Sequence, residues 1–273
     1  MRTNMLVFGS LYLLLSWMRP AYTQWIFDNS ITQDDQSFPL DMAKDSVDDM
    51  YFDCATKMES QIKNKYFQDE MKNEFFKAAW AQAKDCANQK YKNREKGDEA
   101  LTKDHMQAIC TYTAGGKENF YQKFNEEVRT KRKAYGSSFQ FHSLHFWLTR
   151  AVQILNNQNK CYTTFRRTKS MFNGNVKQEV RFGTFTSTSK LSNLERFGDV
   201  TCFKIRTCHA AYLKKYPKLA DIEQEVLIPP YEKFRIIKKG KPDKQLSDCA
   251  IVYVLNSTGF QSNLDCQLVK QIL

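Results

Sequence analysis

The chain lacks the short signatures by which many enzyme classes are recognised. It contains no Gly-x-Gly-x-x-Gly, no phosphate-loop Gly-Lys-Ser/Thr, no His-Glu-x-x-His and no Gly-x-Ser-x-Gly. No dinucleotide fingerprint, zinc protease or nucleophile elbow is therefore indicated. Glycine and proline are also scarce, with 10 Gly and 6 Pro. This scarcity excludes collagen-like and low-complexity architectures, because both depend on these two residues.

Long hydrophobic runs are nearly absent as well, and the clearest one lies at the N-terminus. Residues 6–17 are largely apolar, follow Arg2 and precede the small-residue stretch 21–23, which is typical of a secretory signal. After Cys266 the chain has neither the apolar tail of a lipid-anchor signal nor a Lys-Asp-Glu-Leu ending. We therefore expect a signal peptide over 1–23 and one domain over 24–273, without a membrane anchor, secreted or stored in granules.

The sequence has no Cys-x-x-Cys pair, which argues against zinc and redox motifs. It does have eight cysteines, and in a secreted protein these are expected to form disulfides. Eight cysteines allow about 105 pairings, so their spacing leaves the connectivity open. Asn256 begins the tripeptide Asn-Ser-Thr, which predicts a glycosylation site.

The composition is that of a folded domain with a basic surface. Hydrophobic residues make up 42% of the chain, and 41 Lys+Arg against 30 Asp+Glu give a net charge of +11. Basic patches at 129–133 and 238–241 either steer acidic protein targets or are solvated surface. Nothing indicates a nucleic-acid partner, since no platform of repeated exposed aromatics is evident.

The hydrophobic pattern changes once along the chain. From about residue 40 to 157 it has helical period, most clearly at Leu144, Trp147, Leu148 and Leu155. Over 160–266 it consists of short runs rich in β-branched and aromatic residues, which predict six strands: Cys161–Arg166, Val180–Phe185, Thr201–Thr207, Glu225–Ile228, Lys233–Ile237 and Ala250–Leu255. The predicted fold class is α+β, with a helical N-terminal part packed on a mixed or antiparallel β core.

Two histidines, His142 and His145, share one face of the helix with the strongest pattern. Their spacing is compatible with a metal ion, but no neighbouring carboxylate or cysteine completes a ligand set. We therefore predict that both pack in the core and that the protein has no metal site.

Glu223-Gln224-Glu225 precedes a buried strand and the stop Pro229-Pro230. In an extended chain, residues two apart point to the same side, so both carboxylates would enter one space. Paired carboxylates suit cleavage of a sugar C1 bond, whose transition state has oxocarbenium character. Taken alone, such a pair is more often a solvated strand end.

Two other strand ends carry polar groups of a suitable kind. Arg166 provides a guanidinium, which binds phosphate well. On another strand, Phe185, Ser187 and Ser189 alternate onto one face, where a serine orients a carboxylate or a ribose hydroxyl.

In this order, the arginine, Ser-Thr-Ser and Glu-x-Glu segments resemble the arginine-specific mono-ADP-ribosyltransferases of the vertebrate ectoenzyme family. The resemblance extends from about residue 45 to 266. It is carried by further matching segments: Ala108–Thr113, Phe124-Asn125, Phe141–Thr149, Val180–Phe185 and Glu225–Pro230. It implies an ADP-ribosyltransferase-like fold and a secreted enzyme that transfers ADP-ribose from NAD, its co-substrate, to arginine side chains of proteins.

The resemblance also implies roles for single residues. Arg166 would hold the NAD phosphates and the nicotinamide-side ribose, and Ser187 would position that ribose and the catalytic acid. Glu225 would be the catalytic glutamate. Glu223 would orient the target guanidinium and accept its proton, which chemistry requires because the pKa of a guanidinium is above about 12.

Further residues are implied to contact NAD or to form disulfides. Tyr112 and Thr184 would lie against NAD, and Phe185 would stack on nicotinamide. The family's two bridges would be Cys54–Cys266 and Cys161–Cys208. Two positions depart from the pattern: many relatives have Gly where this chain has Arg167 and Gln where it has Thr184. These departures put NAD affinity in question, which leaves a non-catalytic cationic binding module as one alternative. Because water competes with arginine as the acceptor, an NAD glycohydrolase is the other.

Overall fold

The computed structural model describes residues 37–114, 120–241 and 244–270. The expected signal peptide over 1–23 lies outside the described residues. Over the described ranges, none of the helices is long and apolar enough to cross a membrane.

The first half of the described chain is helical, apart from the short strand β1 (Phe38–Pro39). Its helices are α1 (Ala55–Gln61), α2 (Phe67–Glu70), α3 (Glu74–Gln82), α4 (Lys84–Lys92), α5 (Lys103–Thr113), α6 (Phe120–Thr130) and α7 (His142–Leu155). Local sequence explains where two of them begin. The Asn73 side chain accepts the Phe75 N–H at the start of α3, and Thr102 and His105 form a capping box on α5.

The second half forms the sheet. Its strands are β2 (Tyr162–Thr168), β3 (Phe172–Asn173), β4 (Glu179–Val180), β5 (Thr186–Ser189), β6 (Thr201–Thr207), β7 (Ala211–Tyr212), β8 (Glu225–Ile228), β9 (Glu232–Gly240) and β10 (Ile251–Phe260), followed by α8 (Gln267–Lys270). Eight strands pair in the order β4-β9-β10-β6-β2-β5-β8-β7. Within this sheet only β6 and β10 are parallel, so the expected mixed α+β architecture is confirmed.

One predicted strand is wrong. Val180–Phe185 is not continuous, because pairing stops at Val180 and resumes at Thr186. Between them, Gly183 has a φ of +67°, which breaks an extended chain, and a Cβ there would lie 2.2 Å from the Ala43 Cβ. By contrast, the predicted bounds Thr201–Thr207 and Glu225–Ile228 agree with the structure.

The sheet has a hydrophobic cluster on each face, and β8 contributes to both. Leu227 packs into the cluster formed with the helices, whereas Val226 and Ile228 join a cluster made chiefly of sheet residues. Full burial of each such side chain stabilises the fold by about 1.5–3 kcal/mol. Because the side chains of β8 are buried on both faces of the sheet, this strand is entirely apolar after its first residue, Glu225.

Four disulfides close the structure: Cys54–Cys266, Cys86–Cys110, Cys161–Cys208 and Cys202–Cys249. The first and third are the pairs that the resemblance implied. Cys54–Cys266 joins residues 212 positions apart and so ties the start of the helical part to the end of the sheet part.

Both histidines of α7 are buried and hydrogen-bonded to protein groups. His145 Nδ1 lies 2.8 Å from the Tyr51 hydroxyl, and its Nε2 lies 2.9 Å from the Val47 carbonyl oxygen. His142 Nδ1 lies 3.2 Å from a Glu70 carboxylate oxygen. These contacts are those of core histidines, as the sequence predicts.

Candidate active site

Glu225 is a buried carboxylate at the start of β8, where it lies opposite Ser189 of β5. The pKa of Glu225 is raised to about 8, chiefly by burial; a hydrogen bond from Ser187 acts to lower this pKa, and the charge of Glu223 acts to raise it. The other carboxylate oxygen, Oε1, has no hydrogen-bond partner among the described residues. A buried acceptor without a donor is costly, so this atom is suited to receive a hydroxyl from a ligand.

Ser187 and Tyr112 connect this carboxylate to the helical layer. Ser187 Oγ lies 3.4 Å from Tyr112 Oη, and the Tyr112 hydroxyl donates to the Phe185 carbonyl oxygen at 2.8 Å. Both side chains are buried. Helix α5 therefore fixes β5 at the point where Ser187 faces Glu225.

Arg166 reaches the same point from β2. Its Nη1 donates to the Ser187 carbonyl oxygen at 2.9 Å, and burial lowers the pKa of this guanidinium. A single residue pair, Phe165 with Ser189, joins β2 to β5. Beyond that pair the guanidinium of Arg166, rather than a backbone ladder, links the two strands to each other.

Glu223 lies in a turn, so the expectation of an extended chain through Glu223 and Glu225 is wrong. The intervening Gln224 has a φ of +44°, in the left-handed region. The Ser189 hydroxyl donates to the Glu223 carbonyl oxygen at 2.5 Å, and the Lys190 N–H donates to the Gln224 carbonyl oxygen at 3.2 Å. These bonds hold the turn against the end of β5, and both carboxylates are buried there.

The Glu223 carboxylate has an arginine partner that sequence reasoning missed. Arg196 Nη2 lies 2.7 Å from Glu223 Oε1, and the arginine side chain is 39% exposed. Arg196 belongs to a short 3-10 turn between β5 and β6. Its approach depends on how this turn folds back, and 27 residues separate the two partners in sequence, so no local pattern could reveal the contact.

A cavity of about 240 Å³ lies beside Arg166. It is lined by Phe38, Pro39, Leu40, Arg129, Arg166, Phe172, Arg181, Phe182, Thr184 and Thr186. Two of its arginines form ion pairs with carboxylates. The Arg129 guanidinium lies 3.0 Å from the Asp41 carboxylate, and that of Arg181 lies 2.6 Å from the Asp48 carboxylate. In the sequence, Arg129 stands in the basic patch 129–133, and its place in this cavity was not predicted. Its place in the last turn of α6, after the matching Phe124-Asn125, was the available signal.

Comparison with known proteins identifies the family of the chain that carries this site. The family model described as NAD:arginine ADP-ribosyltransferase matches residues 40–251. The chain belongs to this family. Among curated relatives, the chicken erythroblast NAD(P)(+)--arginine ADP-ribosyltransferase is 32% identical over 85% of this chain and 76% of its own length. The mouse T-cell ecto-ADP-ribosyltransferase 2 is 33% identical over 77% of this chain and 72% of its own length.

Solved structures of the family agree. The eukaryotic mono-ADP-ribosyltransferase ART2.2, as a point variant in complex with NADH, aligns with a TM-score of 0.71 at 30% identity, over 84% of this chain and 98% of that chain. Another ART2.2 variant, in complex with NAD, gives a TM-score of 0.71 at 29% identity with the same coverage. The ADP-ribosyltransferase fold expected from the resemblance is thereby confirmed.

The structure places Phe185 deeper than a surface stacking position. Its ring is fully buried in the helical cluster, and its contact with nicotinamide stays a prediction. It stacks on Phe124 with centroids 5.7 Å apart and meets Tyr112 edge-on at 6.1 Å. Strand alternation correctly predicted the side of the sheet on which the Phe185 ring lies. It did not predict how deeply the ring is buried, because that depends on how closely α6 approaches the sheet.

The two departures from the family pattern have different surroundings. The Arg167 guanidinium forms two hydrogen bonds with the Asp248 carboxylate, at 2.6 and 2.9 Å, and its Nε donates to the Ser192 carbonyl oxygen. It is thus bound away from the cavity that Arg166 lines. Thr184 does line that cavity, and its hydroxyl lies 2.9 Å from the Thr186 hydroxyl.

Proposed function

We propose that the protein transfers ADP-ribose from NAD to arginine side chains of proteins and releases nicotinamide. The observation that carries this proposal is the buried Glu225, with one oxygen unpartnered and Ser187 and Glu223 beside it. Membership of the NAD:arginine ADP-ribosyltransferase family supports it independently.

NAD binding follows from the charges and shape around Arg166. The guanidinium of Arg166 and that of Arg129 line one cavity and suit the anionic diphosphate of a dinucleotide. Ser187 then holds the nicotinamide-side ribose next to Glu225. The unpartnered Glu225 oxygen accepts a ribose hydroxyl, which removes the cost of leaving it unpaired.

In the reaction, the bond between ribose C1 and the nicotinamide nitrogen breaks, and nicotinamide leaves with the electron pair. Positive charge develops on the ribose, and the ionised Glu225 stabilises it at short range in a site of low dielectric. A guanidinium nitrogen of the acceptor forms the new bond to C1. Glu223 orients that guanidinium and accepts its proton, since a protonated guanidinium is not a nucleophile.

An NAD glycohydrolase is the second candidate, and the pair between Arg196 and Glu223 is the observation that favours it. While Arg196 occupies this carboxylate, an external guanidinium has to compete for it. A water molecule does not have to displace Arg196 from Glu223, so hydrolysis of NAD competes with transfer of ADP-ribose to arginine.

The test is labelling of agmatine, a simple guanidine acceptor, by purified protein with labelled NAD. We expect Glu225→Ala to abolish both transfer and nicotinamide release, and Glu223→Gln to lose transfer mainly. Glu179→Gln is the matched control, because this carboxylate lies on β4 at the far edge of the sheet. Equal labelling by the protein and Glu225→Ala would refute the site. Nicotinamide release without labelled agmatine would indicate the glycohydrolase, and silence in both assays the binding module.

We further propose that residues 24–273 act as one secreted domain. The four disulfides support an oxidising, extracellular environment. Glycosylation at Asn256 stays a prediction. This residue lies inside β10, where it pairs with Arg206 on one side and Arg235 on the other.

A further inference from the structure

A second cavity, of about 380 Å³, lies beside the Glu223 turn and has no part in the chemistry described above. We call it the lysine cavity. It is lined by Lys96, Gly97, Asp98, Leu155, Asn156, Asn157, Gln158, Lys160, Tyr162, Lys190, Tyr212 and Lys214. Four of these residues are lysines, and one is an acid.

The lining of the lysine cavity has four lysines and one acid, and two further carboxylates, Glu95 and Asp221, border it next to Lys214 and Tyr212. Lys214 Nζ lies 2.7 Å from an Asp98 carboxylate oxygen, so these two charges compensate each other. Lys190 Nζ lies 3.0 Å from the centroid of the Tyr212 ring and 5.6 Å from that of Tyr162, and Lys160 Nζ lies 5.8 Å from the Tyr162 centroid. Two ammonium groups beside one ring repel each other, and an anion that binds between them relieves that repulsion.

Lys190 connects the lysine cavity to the active site through the backbone. It directly follows Ser189, which lies opposite Glu225 in the sheet, and its N–H donates to the Gln224 carbonyl oxygen. The cavity therefore begins one residue from the strand pair that carries the catalytic carboxylate.

Tyr212 makes a second connection from the other side. It lies opposite Val226, the residue after Glu225, and its hydroxyl donates to the Asp221 carboxylate at 2.6 Å. Asp221 comes two residues before Glu223. Both walls of the lysine cavity thus touch the turn that is proposed to hold the acceptor guanidinium.

We propose that the lysine cavity binds acidic side chains that flank the target arginine of the acceptor protein. This inference rests on the proposed function of Glu223 and Glu225. An acceptor whose arginine enters at Glu223 places its neighbouring residues over Lys190 and Lys160, where carboxylates are attracted and lysines are repelled. The cavity then selects arginines in acidic surroundings, and agmatine is too small to reach it.

The lysine cavity is distinct from the basic patch at 238–241. Lys238 lies on β9, next to one edge of the sheet, whereas Tyr212 lies on β7 at the opposite edge. Lys238 is exposed. The variant Lys238→Glu therefore tests whether reversing the charge of any surface lysine changes binding of an acidic acceptor.

The test compares two peptides with a single arginine, one flanked by Asp and Glu and one by Asn and Gln. We expect kcat/KM to favour the acidic peptide by about tenfold at low salt, with the ratio falling as ionic strength rises. The double variant Lys160→Glu with Lys190→Glu should lose most of this ratio, and its change on agmatine should be smaller than on the acidic peptide. Lys238→Glu should keep the ratio.

Binding of the fluorescent acidic peptide, measured by anisotropy, provides a readout that does not depend on catalysis. The proposal predicts weaker binding by the double variant and unchanged binding by Lys238→Glu. Equal preference for the two peptides, or an equal loss on peptide and agmatine, would overturn it. If agmatine is not labelled while the double variant binds the peptide less well, the proposed function fails and the lysine cavity stands as an acidic-peptide site.

Discussion

At the scale of single residues, burial determines the protonation of the catalytic centre. Glu225 has its pKa raised to about 8, chiefly because it is removed from water. The reaction needs the ionised form, since a neutral carboxyl stabilises an oxocarbenium poorly. We therefore expect kcat/KM for NAD to rise as the pH increases towards about 8.

The same shift predicts a stability difference. Because the folded pKa of Glu225 lies above the ordinary value of 4.5, the folded state binds more protons than the unfolded state between these values. The free energy of unfolding then falls as the pH rises from about 4.5 to 8. Glu225→Gln should be more stable than the parent at pH 8 by an amount on the order of a few kcal/mol, and less so at pH 4.5. Thermal unfolding at both values checks this, with Glu179→Gln showing no such trend; an equal difference at both pH values would contradict it.

Arg196 allows a prediction about the acceptor. Replacing it with Gln removes the guanidinium that lies 2.7 Å from Glu223 Oε1, so an external guanidinium no longer has to displace it. We expect Arg196→Gln to lower KM for agmatine several-fold, with a smaller effect on KM for NAD. Initial-rate kinetics with each substrate varied in turn measure both values.

Arg235→Gln is the matched control for this prediction. Arg235 forms a comparable pair with Glu179, at 3.3 Å, on β9 and β4 far from the site. A KM for agmatine that is unchanged or raised in Arg196→Gln would show that Arg196 does not compete with the acceptor.

At the scale of elements, the site depends on where extended structure stops. The chain leaves the sheet after Val180, bends at Gly183 and re-enters the sheet at Thr186, which brings Ser187 opposite Leu227 and next to Glu225. A bend at Gly183 against Ala43 therefore sets the position of the strand that carries the catalytic serine.

Gly183→Ala tests this role. Alanine in the left-handed region costs about 1–2 kcal/mol, and a Cβ 2.2 Å from the Ala43 Cβ adds an overpacking cost of about 1–3 kcal/mol. Gly97→Ala is the control, because Gly97 also has a positive φ but a Cβ there meets no atom within 4 Å. We expect a clearly larger fall in Tm and in activity for Gly183→Ala. Equal effects of the two substitutions would mean that the contact with Ala43 contributes nothing.

At the scale of the whole molecule, the sheet supplies most of the site, the helical layer contributes Tyr112 and Arg129, and one disulfide, Cys54–Cys266, ties the two parts together. Cys54–Cys266 closes 212 residues, whereas Cys86–Cys110 closes 24 within the helical part. Loop-closure entropy predicts a loss of about 5 kcal/mol for removing the first and about 3.5 kcal/mol for the second.

Paired Cys→Ser variants measure this difference. Denaturant unfolding at neutral pH should give the lower midpoint for the variant without Cys54–Cys266. Both cysteine pairs are buried, so the cost of introducing serine is similar. The reverse order would show that strain or denatured-state structure, rather than loop length, controls their contribution.

Much of this protein is determined by sequence alone, because the forces concerned are local. Hydrophobic period predicted helices before strands, and runs of β-branched and aromatic residues predicted the bounds of β6 and β8. The strand pattern and the family resemblance singled out Arg166, Ser187 and Glu225, which lie on the neighbouring strands β2, β5 and β8.

Only the tertiary structure decided the features that join distant segments. It showed that Phe185 is buried beneath α6, that Gly183 interrupts a predicted strand, and that Arg196 forms an ion pair with Glu223. Each depends on how closely two separate elements approach. Depth of burial and long-range ion pairs arise from packing of the whole chain. Neither produces a periodic pattern in the local sequence from which it could be predicted.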